Sequence, residues 1–196
     1  MDFFTLQEAV EGLFKEKGSK FIAYAFPIVD ESNFKENLLM VKELHPKATH
    51  HCYAYRLGFD GNQFRLNDDG EPGGSAGKPI LGQIDSFQLT NCGVVVVRYF
   101  GGTKLGVPGL IMSYKESTKY ALSKASLKKI IPTIRLKIHF TYSFQGKLDY
   151  LLQQINGEII EKEFSENCRY VVEIPLPHPD FNQYFGFQEN FSWEIL

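Results

Sequence analysis

Cysteine is scarce in this sequence, and long apolar runs are missing. The three cysteines, Cys52, Cys92 and Cys168, lie far apart and form no CxxC pair. A disulfide framework and a structural zinc site are therefore disfavoured, and reduced thiols in a cytoplasmic protein are the expectation. No stretch approaches the roughly 18 apolar residues that a membrane helix needs. The opening residues carry acids instead of the basic start of a secretory signal, so we expect no signal peptide and no membrane partner.

Net charge is also small, at −2, and 43% hydrophobic with 22% charged residues is ordinary for a globular protein. The balance is uneven, because residues 1–130 hold 16 Lys and Arg against 14 Asp and Glu, whereas residues 131–196 hold 5 against 9. If a nucleic acid is a partner, the first part should contact it. A lysine cluster there is either such a contact or an ordinary solvated helix face: Lys115, Lys119, Lys124, Lys128 and Lys129.

The segment VVVVRYFGGTKLG (94–106) combines a strand, a glycine loop and basic side chains. Four consecutive valines are typical of a strand buried on both faces, and the apolar residues that follow the loop recur at helical spacing. Unpaired amides of Gly101 and Gly102, with Arg98 and Lys104 beside them, would bind an anion or a phosphate. The alternative is a purely structural turn, since the segment matches neither a Walker A loop nor a GxGxxG fingerprint.

His50 and His51 begin the segment HHCYAYRLGF (50–59), which has the composition of a strand. Successive strand side chains point to opposite faces, so the two histidines cannot both enter one site. The larger apolar set shares the face of His51, which places His51 at the edge of a core and His50 toward a cleft, on the face of Arg56. His50 is therefore either a functional residue or a hydrogen-bonded structural one.

The loop DDGEPGGSAGK (68–78) carries acidic side chains and a second glycine turn. Asp68, Asp69 and Glu71 either hold a divalent cation, act as a general base, or are solvated turn residues. The rest of the loop is either a second phosphate-binding helix start with Ser75 as N-cap, or a capped helix only. Its candidate ligands are Gly74, Ser75, Gly77 and Lys78. With no Ser-His-Asp order, HExxH motif or metal-spaced Cys/His set, we assign no catalytic residue, metal or cofactor.

The pattern predicts two domains, residues 1–130 and 131–196, with the boundary at Lys128–Pro132. The first is predicted to contain a hairpin turning at Gly18, a helix capped by Ser32 or Asn33, a hairpin around Asp60-Gly61, a helix over 75–84, and a helix from Val107 to about Lys129. The second is predicted to contain strands 134–143, 158–164, 169–176 and 191–196 and helices 146–155 and 179–187. This βαββαβ order is ferredoxin-like, and the fold class is α+β.

Three motifs resemble the YigZ/IMPACT family, in its uncharacterised two-domain bacterial branch: THHCYAYRLG (49–58), DDGEPGGSAGKPIL (68–81) and VVVVRYFGGTKLGVPGL (94–110). The resemblance implies a first domain of the β/α class found in ribosomal proteins and in elongation factor G domain IV. It implies a second, ferredoxin-like domain similar to elongation factor G domain V. The shared set implied by the resemblance is His50, Tyr53, Ala54, Tyr55, Asp69, Gly70, Glu71, Gly77, Arg98, Gly101, Gly102, Leu105 and Gly106. The eukaryotic branch of the family regulates translation.

The resulting hypothesis is a non-enzymatic protein that binds RNA or the ribosome, or a protein of the translation machinery, and influences translation. Arg98, Lys104, Lys78 and the glycine-loop amides would hold phosphates, Tyr99 or Phe100 would stack on a base, and Arg56 would assist. The rival is a small-molecule enzyme, a phosphotransferase or hydrolase that binds a phosphate-bearing ligand with the same loops. A third possibility is a protein-interaction module whose acidic second domain docks a basic partner.

Overall fold

The computed structural model describes residues 3–59, 62–165, 168–177, 180–181 and 191–196. The chain divides into two compact units, Met1–Ile130 and Ile131–Leu196. Both mix helices with β-sheet, which agrees with the mixed α and β architecture expected from the sequence. No helix of the described residues is long and apolar enough to cross a membrane.

The first unit is built on a five-stranded antiparallel sheet in the order β2-β3-β6-β4-β5. The elements of the unit, in chain order, are β1 (Phe3–Leu6), β2 (Val10–Glu16), β3 (Ser19–Pro27), α1 (Glu31–Leu44), β4 (His50–Leu57), β5 (Gln63–Asn67), α2 (Gly77–Ser86), β6 (Cys92–Tyr99), α3 (Gly106–Leu122) and β7 (Leu127–Ile130). The strands β1 and β7 pair with each other as a separate antiparallel ribbon.

Helices cover both faces of the five-stranded sheet. Val94 and Val96 of the central strand β6 share a hydrophobic cluster with α2 and α3, whereas Val95 and Val97 share another with α1. All four valines are fully buried. The prediction of a strand buried on both faces is therefore confirmed, because the pleat sends alternate side chains into two separate cores.

Two helix ends differ from the sequence expectation. The helix α1 is capped by Asp30, whose carboxylate accepts a hydrogen bond from the Asn33 amide, in place of the expected Ser32 or Asn33 cap. The helix α3 ends at Leu122 and does not reach Lys129. Residues 127–130 are extended because they pair with β1, more than 120 positions earlier in the chain. A long-range partner of this kind leaves no local signal in the sequence.

The second unit contains an antiparallel sheet in the order β11-β8-β10-β9 and a helix that shares its core. Its elements are β8 (Thr133–Phe140), α4 (Gln145–Gln154), β9 (Glu158–Glu163), β10 (Cys168–Pro175) and β11 (Phe191–Ile195). The helix α4 buries Leu148, Leu151 and Leu152, as its helical spacing predicts. The predicted helix 179–187 lies almost entirely outside the described residues.

Candidate functional site

The register between β4 and β6 brings two predicted site residues together. His50 lies directly opposite Arg98 in the antiparallel pair, so their side chains emerge on the same face of the sheet. Both line a cavity of about 320 Å³, together with Glu71 and Lys104. The apolar part of the wall comes from the end of β6 and the start of α3: Phe100, Leu105, Val107 and Leu110.

A buried ion pair forms the floor of this cavity. Arg98 Nη1 lies 2.6 Å from Glu71 Oε1, and only 8% and 4% of the two side chains is exposed. The hydroxyl of Tyr114 donates to the same oxygen at 2.8 Å and accepts from Cys52 Sγ at 3.2 Å. Burial raises the pKa values of both Tyr114 and Cys52. Tyr114 and Cys52 therefore stay neutral near pH 7.

Aromatic rings hold the Arg98 guanidinium in place. Its central carbon lies 5.5 Å from the ring centre of Phe21 and 5.7 Å from that of Phe100, within the range of cation–π attraction. The buried Nε atom of Arg98 has no hydrogen-bond partner among the described residues. The guanidinium thus keeps donor capacity that the described part of the chain does not use.

His50 is oriented by the backbone of the loop after β5. Its Nδ1 atom donates to the carbonyl oxygen of Asp69 at 2.7 Å, because a carbonyl can only accept. Nε2 therefore faces the ion pair, 3.9 Å from Glu71 Oε1. The Asp69 carboxylate accepts a hydrogen bond from the His51 amide at 2.6 Å. Through these two hydrogen bonds Asp69 links the loop after β5 to β4.

The first glycine turn already contains an anion of the chain itself. The Asp68 carboxylate accepts hydrogen bonds from the amides of Gly74, Ala76 and Gly77 at 2.8–2.9 Å. The Ser75 amide donates to Pro72 O. Burial acts to raise the pKa of Asp68, but the three amide hydrogen bonds outweigh it and lower that pKa.

The proposed phosphate-binding role of this first turn is therefore not supported, because its amides are occupied. Ser75 is also not the N-cap of α2: that helix begins at Gly77 with no side-chain cap, and the buried Ser75 hydroxyl has no partner among the described residues. A Cβ on Gly77 would lie 2.9 Å from the Asn67 backbone nitrogen. The glycine is thus explained by close backbone packing instead of by a ligand.

The second glycine turn is partly structural and partly open. The Gly101 amide donates to Ser19 Oγ at 3.1 Å, and a Cβ on Gly101 would lie only 2.0 Å from the carbonyl carbon of Gly18. Gly102 has a φ of +87° and open space around it. The amides of Gly102, Thr103 and Lys104 have no hydrogen-bond partner in the part of the chain that the structure describes.

Of the predicted site residues, His50, Glu71, Arg98 and Lys104 line the cavity, and the side chains of Arg56, Tyr99 and Lys78 lie elsewhere. Arg56 lies six positions along β4 from His50, where its Nε donates to Asp85 at 2.7 Å. The Tyr99 hydroxyl contacts His45 Nδ1 at 2.9 Å, on the α1 side of the sheet. Lys78 is exposed in the first turn of α2. The cleft expected to join His50, Ser75 and Arg98 thus contains only the first and the last of them.

Tyr114, which connects the ion pair to the core, was not predicted as a site residue. Tyr114 follows the buried Leu110 by four residues on α3, and a tyrosine on a core face needs a partner for its hydroxyl. That requirement was the available signal. It could not identify Glu71 as the partner, since the two residues are 43 positions apart.

No group of three His, Cys, Asp or Glu side chains among the described residues could hold a metal ion.

Comparison with known proteins places the cavity in a shared domain. The Impact N-terminal domain matches residues 17–122, which contain every cavity-lining residue. IMPACT family member YvyE of Bacillus subtilis (strain 168) is 33% identical over 170 residues, covering 86% of this chain and 77% of the relative. IMPACT family member YigZ of Escherichia coli (strain K12) is 34% identical over 137 residues, covering 69% and 67%.

A solved structure agrees with these relatives. The crystal structure of a hypothetical protein superposes with a TM-score of 0.74 at 28% identity, covering all of this chain and 96% of the other. The match extends the similarity beyond the residues of the family domain. With the domain match and the two relatives, it confirms the resemblance seen in the three sequence motifs, and the chain belongs to the YigZ/IMPACT family.

Proposed function

We propose that this protein is a non-enzymatic, cytoplasmic factor that associates with RNA or the ribosome and influences translation. One observation carries the proposal: Lys104 and the half-exposed Phe100 ring line the cavity that contains His50 and Arg98, and the unpaired amides of residues 102–104 belong to the same loop. Cationic groups and free amides bind phosphates, and an exposed ring stacks on bases.

A basic and apolar stripe on α3 extends this surface away from the cavity. Val107, Ile111, Lys115 and Lys119 follow each other at intervals of four residues, and all four are exposed. Residues at this spacing share one side of a helix. An RNA strand that enters the cavity with one nucleotide would therefore meet further phosphate contacts along α3.

The topology of the second unit supports the proposed role in translation. Its described elements follow in the chain order strand, helix, strand, strand, strand. In the antiparallel sheet the four strands lie in the order 4-1-3-2. This arrangement supports the ferredoxin-like class that family resemblance implies, similar to elongation factor G domain V. The first unit would then belong to the elongation factor G domain IV class. Both classes occur in elongation factor G, and this fold analogy supports a role in translation.

The test measures RNA binding as a function of salt. We expect the variant Lys104→Ala/Lys115→Ala/Lys119→Ala to lose at least about tenfold affinity for ribosomal RNA at low salt. Its log–log salt slope should fall by about 2, because each phosphate contact on a single strand contributes roughly 0.7.

The matched control for this variant removes the same charge from the opposite face of the sheet. It is Lys35→Ala/Lys42→Ala/Lys47→Ala, with two positions on α1 and one just after it. This control should bind RNA like the unmodified protein. Equal losses in both variants, or no RNA or ribosome binding at about 50 mM salt, would reject the proposal.

A second candidate is a small-molecule enzyme, and the orientation of His50 favours it. With Nδ1 donating to Asp69 O, the Nε2 atom faces the cavity as a possible general base, beside a carboxylate and a guanidinium. A thermal-shift panel of nucleotides with and without Mg²⁺ separates the two candidates. Stabilisation of about 2.7 kcal/mol, as expected at 100 times Kd, together with turnover that is lost in His50→Ala, would favour the enzyme.

A further inference from the structure

We infer that the cavity beside the Glu71–Arg98 ion pair binds a nucleobase edge on which a carbonyl lies next to a ring N–H, as in uracil or guanine. The inference rests on the proposed function and deepens it, because it states which part of an RNA enters the cavity. The observations behind it are the charge of the floor, its unused hydrogen-bonding groups and the chemistry of the walls.

The charge of the floor argues against a phosphate. The positive charge of Arg98 is already compensated by Glu71 at 2.6 Å. A phosphate close enough to contact Arg98 would also approach a carboxylate that is almost completely shielded from water. Repulsion between like charges is strong where water is excluded. A neutral ligand avoids this repulsion, so the ion pair selects an uncharged polar group.

The hydrogen-bonding groups on the floor define that polar group. Arg98 uses only Nη1 toward Glu71, and both side-chain hydrogen bonds that Glu71 accepts go to Oε1. Neither the remaining guanidinium N–H groups nor Oε2 has a partner among the described residues. The two side chains are in contact, so an unused donor and an unused acceptor belong to neighbouring groups. A lactam edge supplies the complement, with its carbonyl accepting from Arg98 and its N–H donating to Glu71.

The walls fit a planar ring. Phe100 is half exposed at the mouth, and Leu105, Val107 and Leu110 supply aliphatic surface. A volume of about 320 Å³ is at the lower end for small-molecule sites and suits one base better than a longer segment. Lys104 lines the cavity and the free amides of residues 102–104 lie in the same loop, where the phosphate attached to an inserted base would remain in solvent.

The ligand test uses nucleosides, which carry no phosphate and so separate the cavity from general attraction to a polyanion. Binding to the full chain is followed by the NMR signals of His50, whose Nε2 faces the ion pair. We expect uridine and guanosine to bind at least tenfold more tightly than 3-methyluridine and 1-methylguanosine, in which a methyl group replaces the ring N–H. A site that hydrogen-bonds an N–H rejects an analogue that lacks it.

Three outcomes would overturn the inference. They are equal affinity for the methylated nucleosides, equal affinity for adenosine and cytidine, or equal affinity for a peptide carboxamide such as acetylglutamine amide. Salt-sensitive RNA binding that ignores base identity would overturn it while the proposed function stands. Selective nucleoside binding without any binding of RNA or ribosomes would overturn the proposed function and leave the nucleobase site standing.

A pair of variants tests the wall with little risk to folding. Phe100→Ala removes the half-exposed ring at the cavity, and Phe64→Ala removes a ring of almost equal exposure on β5, beneath Arg56. We expect Phe100→Ala to weaken uridine binding at least tenfold and Phe64→Ala to leave it unchanged. Unchanged uridine affinity in both variants, or the same loss of uridine affinity in both, would overturn the placement of the base beside Phe100.

Discussion

The Asp68 side chain occupies a glycine turn that resembles a ligand-binding site. The glycine turn after Pro72 has the composition of a phosphate-binding loop, and its amides do converge on an anion. That anion is the Asp68 carboxylate, from a residue that the sequence analysis treated as part of an acidic loop. The motif therefore stabilises the start of α2, and its amides are not available to a ligand.

The lowered pKa of Asp68 predicts a pH-dependent contribution to stability. A carboxylate whose folded pKa lies below its ordinary value of 3.8 stabilises the fold above that value, and the contribution is lost as pH falls through the folded pKa. We expect Asp68→Asn to lower the free energy of unfolding by about 1–3 kcal/mol at pH 7. The difference from the unmodified protein should shrink at about pH 3.

Urea unfolding followed by far-ultraviolet circular dichroism at both pH values measures this effect. The single tryptophan, Trp193, lies in the second unit, so its fluorescence gives an internal reference that Asp68→Asn should not change. The control is Glu43→Gln, an exposed position on α1. A difference of the same size at both pH values would contradict the assignment of charge-dependent stability to Asp68.

Among the elements, the β2–β3 hairpin and the loop after β6 meet at a backbone contact. Gly101 approaches Gly18 and Ser19 so closely that a Cβ would lie 2.0 Å from the Gly18 carbonyl carbon and 2.1 Å from the Ser19 nitrogen. These atoms belong to the backbone and cannot rotate away. The glycine pair that follows the valine strand is thus needed, in its first position, to let two elements pack.

We expect Gly101→Ala to destabilise the first unit by about 3 kcal/mol or more, because the clash forces a backbone shift. The matched control is Gly73→Ala, since a Cβ at Gly73 meets nothing within 4 Å. This control should be neutral or slightly stabilising, by up to about 1 kcal/mol. Chemical unfolding of both variants, followed by circular dichroism, measures the effect. Equal unfolding midpoints would show that the close backbone contact at Gly101 does not require glycine.

Elements with a strong periodic pattern were predictable, and elements with distant partners were not. The buried valine strand, the β2–β3 hairpin and the inward face of α3 follow from alternation or helical spacing over a few residues. The ribbon of β1 and β7 was missed, because each strand has only four residues and its partner lies at the other end of the unit. Short strands carry too little pattern to be recognised alone.

For the whole molecule, each compact unit contains its own hydrophobic core. Two clusters, on the two faces of the five-stranded sheet, lie within residues 1–130, and a third lies within residues 131–196. The cavity and the α3 stripe lie entirely in the first unit. A unit with a complete core is expected to fold without the other.

We therefore predict that a fragment of residues 1–130 unfolds cooperatively and retains salt-sensitive RNA binding. The matched control ends at residue 126 and lacks β7, so β1 loses its ribbon partner and the fragment should melt at a lower temperature. Thermal unfolding by circular dichroism and filter binding of RNA measure both properties. A fragment 1–130 without a cooperative transition would contradict the independence of the two units.

What the sequence determined by itself was local: the strand and helix patterns, the hairpins, and the family, whose motifs lie in continuous segments. Which candidate residues share a site was decided by the tertiary structure. The register of β4 against β6 sets His50 beside Arg98, and Glu71 reaches both from a loop. Pairings across 21 or more positions depend on how buried charges and amides are satisfied together, which no single segment encodes.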